Sequence, residues 1–103
     1  MNMNKENKWR ADFHKALGNP VRLDIVDFLL NGEQCQCDIF PRIGLAQSTV
    51  SAYLTQMVRA GILRVRKDGV RKLYRISDKR VERMIEKTRK LAQEMVSSQG
   101  REK

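Results

Sequence analysis

Cys35 and Cys37 are the only cysteines in the 103-residue chain, one residue apart in the stretch EQCQCDIF. Thiols at this spacing can be hydrophobic filler, a disulfide, a soft-metal chelate or a nucleophile. Filler is common, because free cysteine is among the most buried residue types. A nucleophile needs a base. The single histidine, His14, lies on a predicted helix with no matching carboxylate pattern, and it reads as structural or solvent-facing. No phosphate loop or metal-hydrolase motif occurs. A chelate carries a geometric condition. On a regular helix, residues two apart point about 200° from each other, so the sulfurs converge only where a helix starts or distorts. The Asn31-Gly32 stop just upstream allows a start here. A helix N-terminus would also favour the thiolate. Spacing alone does not choose between a thiolate site and filler.

Charge narrows the function class. The net charge is +9, and it is polarised. Residues 1–60 carry seven basic and six acidic side chains, whereas residues 61–103 carry fourteen and six. A basic half suits a polyanion, most simply nucleic acid; an anionic membrane surface and a solvated basic face are the alternatives. No apolar run approaches the roughly 18 residues of a membrane span, and the N-terminus MNMNKENKW has no signal-peptide core. A cytosolic chain is expected, with reduced thiols and no structural disulfide.

One domain over residues 1–103 is expected, ordered over about 6–97. Trp9, Phe13, Ala16 and Leu17 recur at helical spacing, and Gly18 supplies a stop. Asn19-Pro20 reads as N-cap and first-turn proline of a second helix that buries Leu23, Ile25, Val26, Leu29 and Leu30. A short helix is expected from Cys35 to Arg42, limited by Pro41. After Gly44, the apolar stripe Val50, Tyr53, Leu54, Met57 and Val58 predicts a helix ending at Ala60-Gly61. Its other face carries Ser48, Thr49, Ala52, Thr55, Gln56 and Arg59, small or uncommitted groups that allow close approach. ILRVRKDGVRKLYRI then predicts a hairpin about Asp68-Gly69. Leu63 and Val65 alternate with Arg64 and Arg66, and Tyr74 and Ile76 with Leu73 and Arg75. Ser77 or Asp78 caps a last helix with Val81, Met84, Ile85, Leu91, Ala92, Met95 and Val96 in a stripe, before a frayed tail SSQGREK.

The order is that of a winged helix-turn-helix, mainly α with a small β-hairpin. Its recognition helix would enter the major groove, and its wing would lie along phosphates. The expected DNA-binding residues are Gln47, Ser48, Thr49, Ser51, Ala52, Thr55, Gln56 and Arg59 on the helix, with Arg66, Lys67, Arg71 and Lys72 on the wing.

KALGNPVRLDIVDFLLNGEQCQCDI, LAQSTVSAYLTQMVRAGIL and RVRKDGVRKLYRI together resemble the ArsR/SmtB family of metalloregulatory repressors, over residues 9–96. The most specific match is Gln47–Ser51 with Leu54 and the RAGIL that comes after it. The resemblance implies a homodimer that binds an inverted repeat in double-stranded DNA and is released by an inducer, with no permanent cofactor. It implies pairing through the first and last helices, here Trp9, Phe13, Met84, Ile85, Leu91 and Met95. EQCQCD is similar to the family's arsenic- and cadmium-sensing box, making Cys35 and Cys37 the expected metal ligands and As(III) the expected inducer, with Sb(III) or Cd(II) as other candidates. Three departures stand out. Phe40 replaces the third cysteine of the arsenic sensors, Ala46 replaces the usual N-capping serine, and histidines are absent from positions 52 and 53. The zinc site of the family's last helix and the cysteine-rich N-terminal arm of its cadmium sensors have no counterpart here. A redox-responsive or constitutive regulator is the competing reading of the same thiols.

Overall fold

Residues 4–101 are described by a computed structural model. The chain runs α1 (Lys5–Leu17), α2 (Pro20–Leu29), β1 (Gln34–Cys35), α3 (Gln36–Ile43), α4 (Gln47–Arg59), β2 (Leu63–Asp68), β3 (Arg71–Ile76) and α5 (Lys79–Arg101). Helices α3 and α4 form the helix-turn-helix and β2–β3 the wing, so the expected winged helix-turn-helix is what the chain forms.

Local chemistry sets the helix ends. Asn19 Oδ1 accepts from the N–H groups of Val21 and Arg22 at 2.8 and 3.2 Å, and Pro20 fills the first turn, as the sequence predicts. At the end of α4, Ile62 N–H donates to Met57 O and Gly61 N–H to Val58 O. These are the two bonds of a Schellman stop, with Gly61 at φ +81° where a side chain would be strained. Gly44 ends α3 in the same left-handed region, and Asp78 caps α5.

The core gathers α1, α2, α3 and α4 on one face of the sheet. Ile25, Val26, Leu29, Ile39, Val50, Leu54, Met57 and Ile62 are fully buried there, with Leu63, Tyr74 and Ile76 from the wing and Ile85 from α5. Packing of this kind carries most of the stability of short helices, since each is marginal alone.

The sheet departs from expectation twice. It has three strands in the order β1-β3-β2, because Gln34 pairs with Tyr74 and Cys35 with Leu73. The turn is Gly69-Val70 rather than Asp68-Gly69, since Asp68 pairs with Arg71. That register sets Leu63 opposite Ile76 and Val65 opposite Tyr74, joining apolar side chains on the core face. A one-residue shift of the turn would oppose Leu63 to Tyr74 and Val65 to Lys72. The apolar pairing overrides the local turn preference. Gly69 alone in this turn takes a positive φ, +64°.

The helices differ from expectation as well. Leu23 is exposed and Leu30 half-buried, leaving Ile25, Val26 and Leu29 as the core side of α2. Leu73, which alternation places outward, is buried beside Cys35, its pairing partner on β1. The helix α5 runs on through Ser97–Arg101 instead of fraying at Ser97; the tail's last two residues and the N-terminal Met1–Met3 lie outside the described residues. Phe13 and Ile85, expected in a dimer contact, are 2% exposed and belong to the protomer's own core, because α5 packs its Ile85 edge against α2 and β3 and α1 packs Phe13 inward against α2 and α4.

Candidate functional site

The thiols sit where a strand becomes a helix. Cys35 ends β1 in an extended conformation and is the N-cap of α3, its Sγ accepting from Cys37 N–H at 3.1 Å. The helix begins at Gln36, so Cys35 escapes the 200° divergence of a regular helix and the two sulfurs converge. They are joined as a disulfide, with Cα atoms 5.1 Å apart. This corrects the expectation of two separate thiols, and the helix start is its physical reason. Cys35 is buried and Cys37 exposed. Phe40, half-buried, occupies the next turn of α3, and Gly44 then turns the chain into α4.

The recognition helix presents Gln47, Ser48, Ala52, Thr55 and Arg59 to solvent, while Thr49, Ser51 and Gln56 are half-buried. Positions 48, 52, 55 and 59 form one outward stripe at helical spacing. Ala46 leaves α4 without a side-chain cap, the departure the sequence shows. The Arg22 guanidinium lies 4.6 Å from the centre of the Tyr53 ring, so the start of α2 grips α4 from its inner side.

The wing continues that surface. Thr55 and Arg59 of α4 line a groove of about 410 Å³ together with Lys67 and Lys72. Within the hairpin, Arg64 stands directly opposite Arg75 and Lys67 opposite Lys72. Like charges opposed across strands are destabilising, and a polyanion lying on the α4 side of the hairpin would remove the cost at Lys67 and Lys72. Lys67, Arg71 and Lys72 are exposed. Arg66 differs: its guanidinium makes two hydrogen bonds to Glu33, at 2.8 and 2.9 Å. The arginine beside Glu33 holds that carboxyl below its ordinary range, and Arg66 is raised in return. Sequence reasoning assigned Glu33 no role, and no local signal announces a partner 33 positions away.

The remaining predicted residues form an apolar margin. Trp9 stacks on Phe13 with ring centres 5.2 Å apart, yet Trp9 itself is 52% exposed. Met84, Leu91, Met95 and Val96 are exposed along α5. A mostly apolar groove of about 510 Å³, with Phe13, Leu17, Leu23, Met84 and Ala92 on its walls, separates α1 and α2 from α5. His14 is exposed and edge-on to Phe13. Asp27 of α2 meets Arg89 of α5 at 4.0 Å; burial raises its carboxyl, against the pull of Arg89. Among the described residues no helix is long and apolar enough to cross a membrane, and no group of three or more His, Cys, Asp or Glu is placed to hold a metal.

Comparison with known proteins agrees with this geometry. The profile of the bacterial regulatory protein, arsR family, matches residues 19–65, from the cap of α2 into the wing. An uncharacterised HTH-type transcriptional regulator of Methanocaldococcus jannaschii is 40% identical over 73% of this chain and 85% of its own length. A probable mercury resistance operon repressor of Streptomyces lividans is 34% identical over 80% of this chain. An arsenical resistance operon repressor of Staphylococcus xylosus is 33% identical over 61% of it. The chain spans 66% and 61% of those two repressors' lengths. Among solved structures, the homodimeric winged helix-turn-helix DNA-binding domain of a possible ArsR-family regulator from Mycobacterium bovis superposes with a TM-score of 0.82. It is 30% identical, with 91% of each chain covered. With the profile seated on the helix-turn-helix and this structural relative covering nearly the whole chain, the protein belongs to the ArsR family of bacterial transcriptional regulators.

Proposed function

We propose that the protein is a homodimeric repressor in the cytoplasm that binds an inverted-repeat operator and leaves it when a thiophilic metalloid, arsenite first, bridges Cys35 and Cys37. The observation that carries this reading is the position of the sulfurs. They converge at the first turn of α3, the helix on which the recognition helix is mounted through Gly44. Pulling them together sets the start of α3 and hence the seat of α4. The similarity to mercury and arsenical resistance repressors supports a soft ion as ligand, which thiolates select over magnesium or calcium. With Phe40 in place of a third cysteine, the chain offers two thiolates. A water or a small thiol then completes the arsenic, and Sb(III) or Cd(II) compete for the same pair.

On DNA, α4 reads the major groove through Gln47, Ser48 and their outward neighbours, and the wing cations hold phosphates. Two copies joined through Trp9, Met84, Leu91 and Met95 would present two such surfaces to two half-sites. An inducer releases DNA only if it binds the free form better, and DNA then weakens inducer binding by the same factor. The coupling expected is about 1–3 kcal/mol, roughly 5- to 150-fold. Footprinting with and without arsenite tests the reading, with retention of the footprint at saturating arsenite counting against it.

The Cys35–Cys37 bond favours a second reading, in which oxidation itself is the signal. A peroxide takes two electrons from the two thiols, is reduced to water, and leaves the disulfide. Release by peroxide but not by arsenite would select it.

A further inference from the structure

Arg66 stands apart from the other wing cations. Its Nε donates to Glu33 Oε2 at 2.9 Å and its Nη2 to Oε1 at 2.8 Å. Among the described residues, Arg64, Lys67, Arg71, Lys72 and Arg75 make no ion pair. Glu33 is held in place by the strand β1 that begins at the next residue. Gln34 pairs with Tyr74 and Cys35 with Leu73, and Leu73 faces Arg66 from its other side. Cys35, Leu73 and Arg66 therefore form one row across the sheet, and the Glu33–Arg66 clamp reaches over β3 beside that row. A guanidinium fork matches carboxylate and phosphate equally well, and it holds one or the other.

We propose that Glu33 is a latch that competes with a DNA phosphate for Arg66, closed when the two sulfurs are bridged and open when they are free thiols on DNA. The proposal rests on the thiol-gated, DNA-binding reading above and adds a second route of release, through the wing. Bridging Cys35 to Cys37 fixes the junction of β1 with α3. It thereby holds β1 on β3 and sets Glu33 where it withdraws Arg66. By linkage, a phosphate that captures Arg66 loosens β1 and weakens the bridged state.

The test measures anisotropy on a duplex selected from a random-sequence pool, at about 50–200 mM salt, with the chain reduced and with it bridged by phenylarsine oxide. Reduced wild type is expected to give a steeper fall of log affinity with log salt than bridged wild type. Glu33→Gln keeps the shape and removes the charge. Its bridged form is expected to be steeper than bridged wild type by about 0.9, the value of one neutralised phosphate, and to keep more of its affinity. Arg66→Ala is expected to give the shallow slope in both states, and the double variant to match it. Identical slopes for Glu33→Gln and wild type, with wild type still released by bridging, overturn the latch alone. A wild type indifferent to bridging overturns the thiol-gated reading and the latch with it. Should Glu33→Gln fold poorly, Arg66→Ala decides: a reduced-state slope unchanged from wild type overturns the latch.

Discussion

Asp78 accepts three hydrogen bonds from Arg80: from its backbone N–H at 2.7 Å, its Nε at 2.9 Å and its Nη2 at 2.8 Å. The carboxylate thus caps α5 and is itself clamped. The arginine's side chain first, then its N–H, hold Asp78 well below its ordinary value of 3.8. A carboxyl depressed in the folded state contributes in full above its unfolded pKa, and the contribution is lost as pH falls through the folded value. Asp78→Ala is expected to melt below wild type at neutral pH, with the gap narrowing under pH 3.8. Melts over a pH series read this directly, and a gap constant with pH would remove the carboxylate from its capping role.

Cys35→Ser and Cys37→Ser are each expected to keep DNA binding and lose the arsenite response. Their stabilities should differ. Serine caps a helix well but carries a hydroxyl into the buried site of Cys35, costing on the order of 1 kcal/mol. Cys37 is less enclosed, and its replacement should stay within about 0.5 kcal/mol of wild type. Urea unfolding of the reduced proteins measures both. A double serine variant that still leaves DNA on arsenite addition would falsify the assignment of the sensor.

Changing Arg71 and Lys72 together to Ala should weaken binding to all duplexes alike and flatten the salt slope by about 0.9 for each phosphate no longer neutralised. Changing Gln47 or Ser48 should instead alter which sequence is preferred. Titrations at several salt concentrations separate the two, and an unchanged slope in the wing variant would exclude the hairpin from the interface.

Met84→Asp with Leu91→Asp should give monomers that bind DNA poorly, because a carboxylate would be buried unpaired between the two copies. Light scattering reads the mass. A wild type of one-chain mass at micromolar concentration would rule the dimer out.

Ala46→Ser should stabilise the fold. Ala46 is exposed and positioned as a cap, yet offers no acceptor to the first turn of α4. A serine there is worth about 1 kcal/mol, a rise of about 4–8 °C in Tm for a domain of this size. Calorimetry tests it, and no rise would mean that the first-turn N–H groups are already satisfied by water.

What was legible in the sequence depends on how local each signal is. Asn19-Pro20 and Ala60-Gly61 act within one helical turn, and both ends fall where those residues predict. The recognition face showed because its neighbours at helical spacing are small or uncommitted polar groups, without the usual Glu–Lys pairs. The strand β1 has two residues and no period of its own, so nothing marked it until β3 was there to pair with. The hairpin turn was misplaced by one because Asp-Gly is a strong local signal, while the pairing of Leu63 with Ile76 is a tertiary one. Phe13 and Ile85 carry the same pattern as Trp9 and Met84. Only the packing of α1 on α2 and α4, and of α5 on α2 and β3, divides residues of the core from those left outside.

The strand order β1-β3-β2 has a further consequence, for solubility. A sheet edge is a template for pairing with another chain, and proteins blunt it with short strands or with charge. Here one edge is a strand of two residues, and the other carries Arg64, Arg66 and Lys67 along its length. Two copies approaching wing to wing would meet as like charges, so the surface suited to a polyanion also guards the free protein against edge-to-edge aggregation.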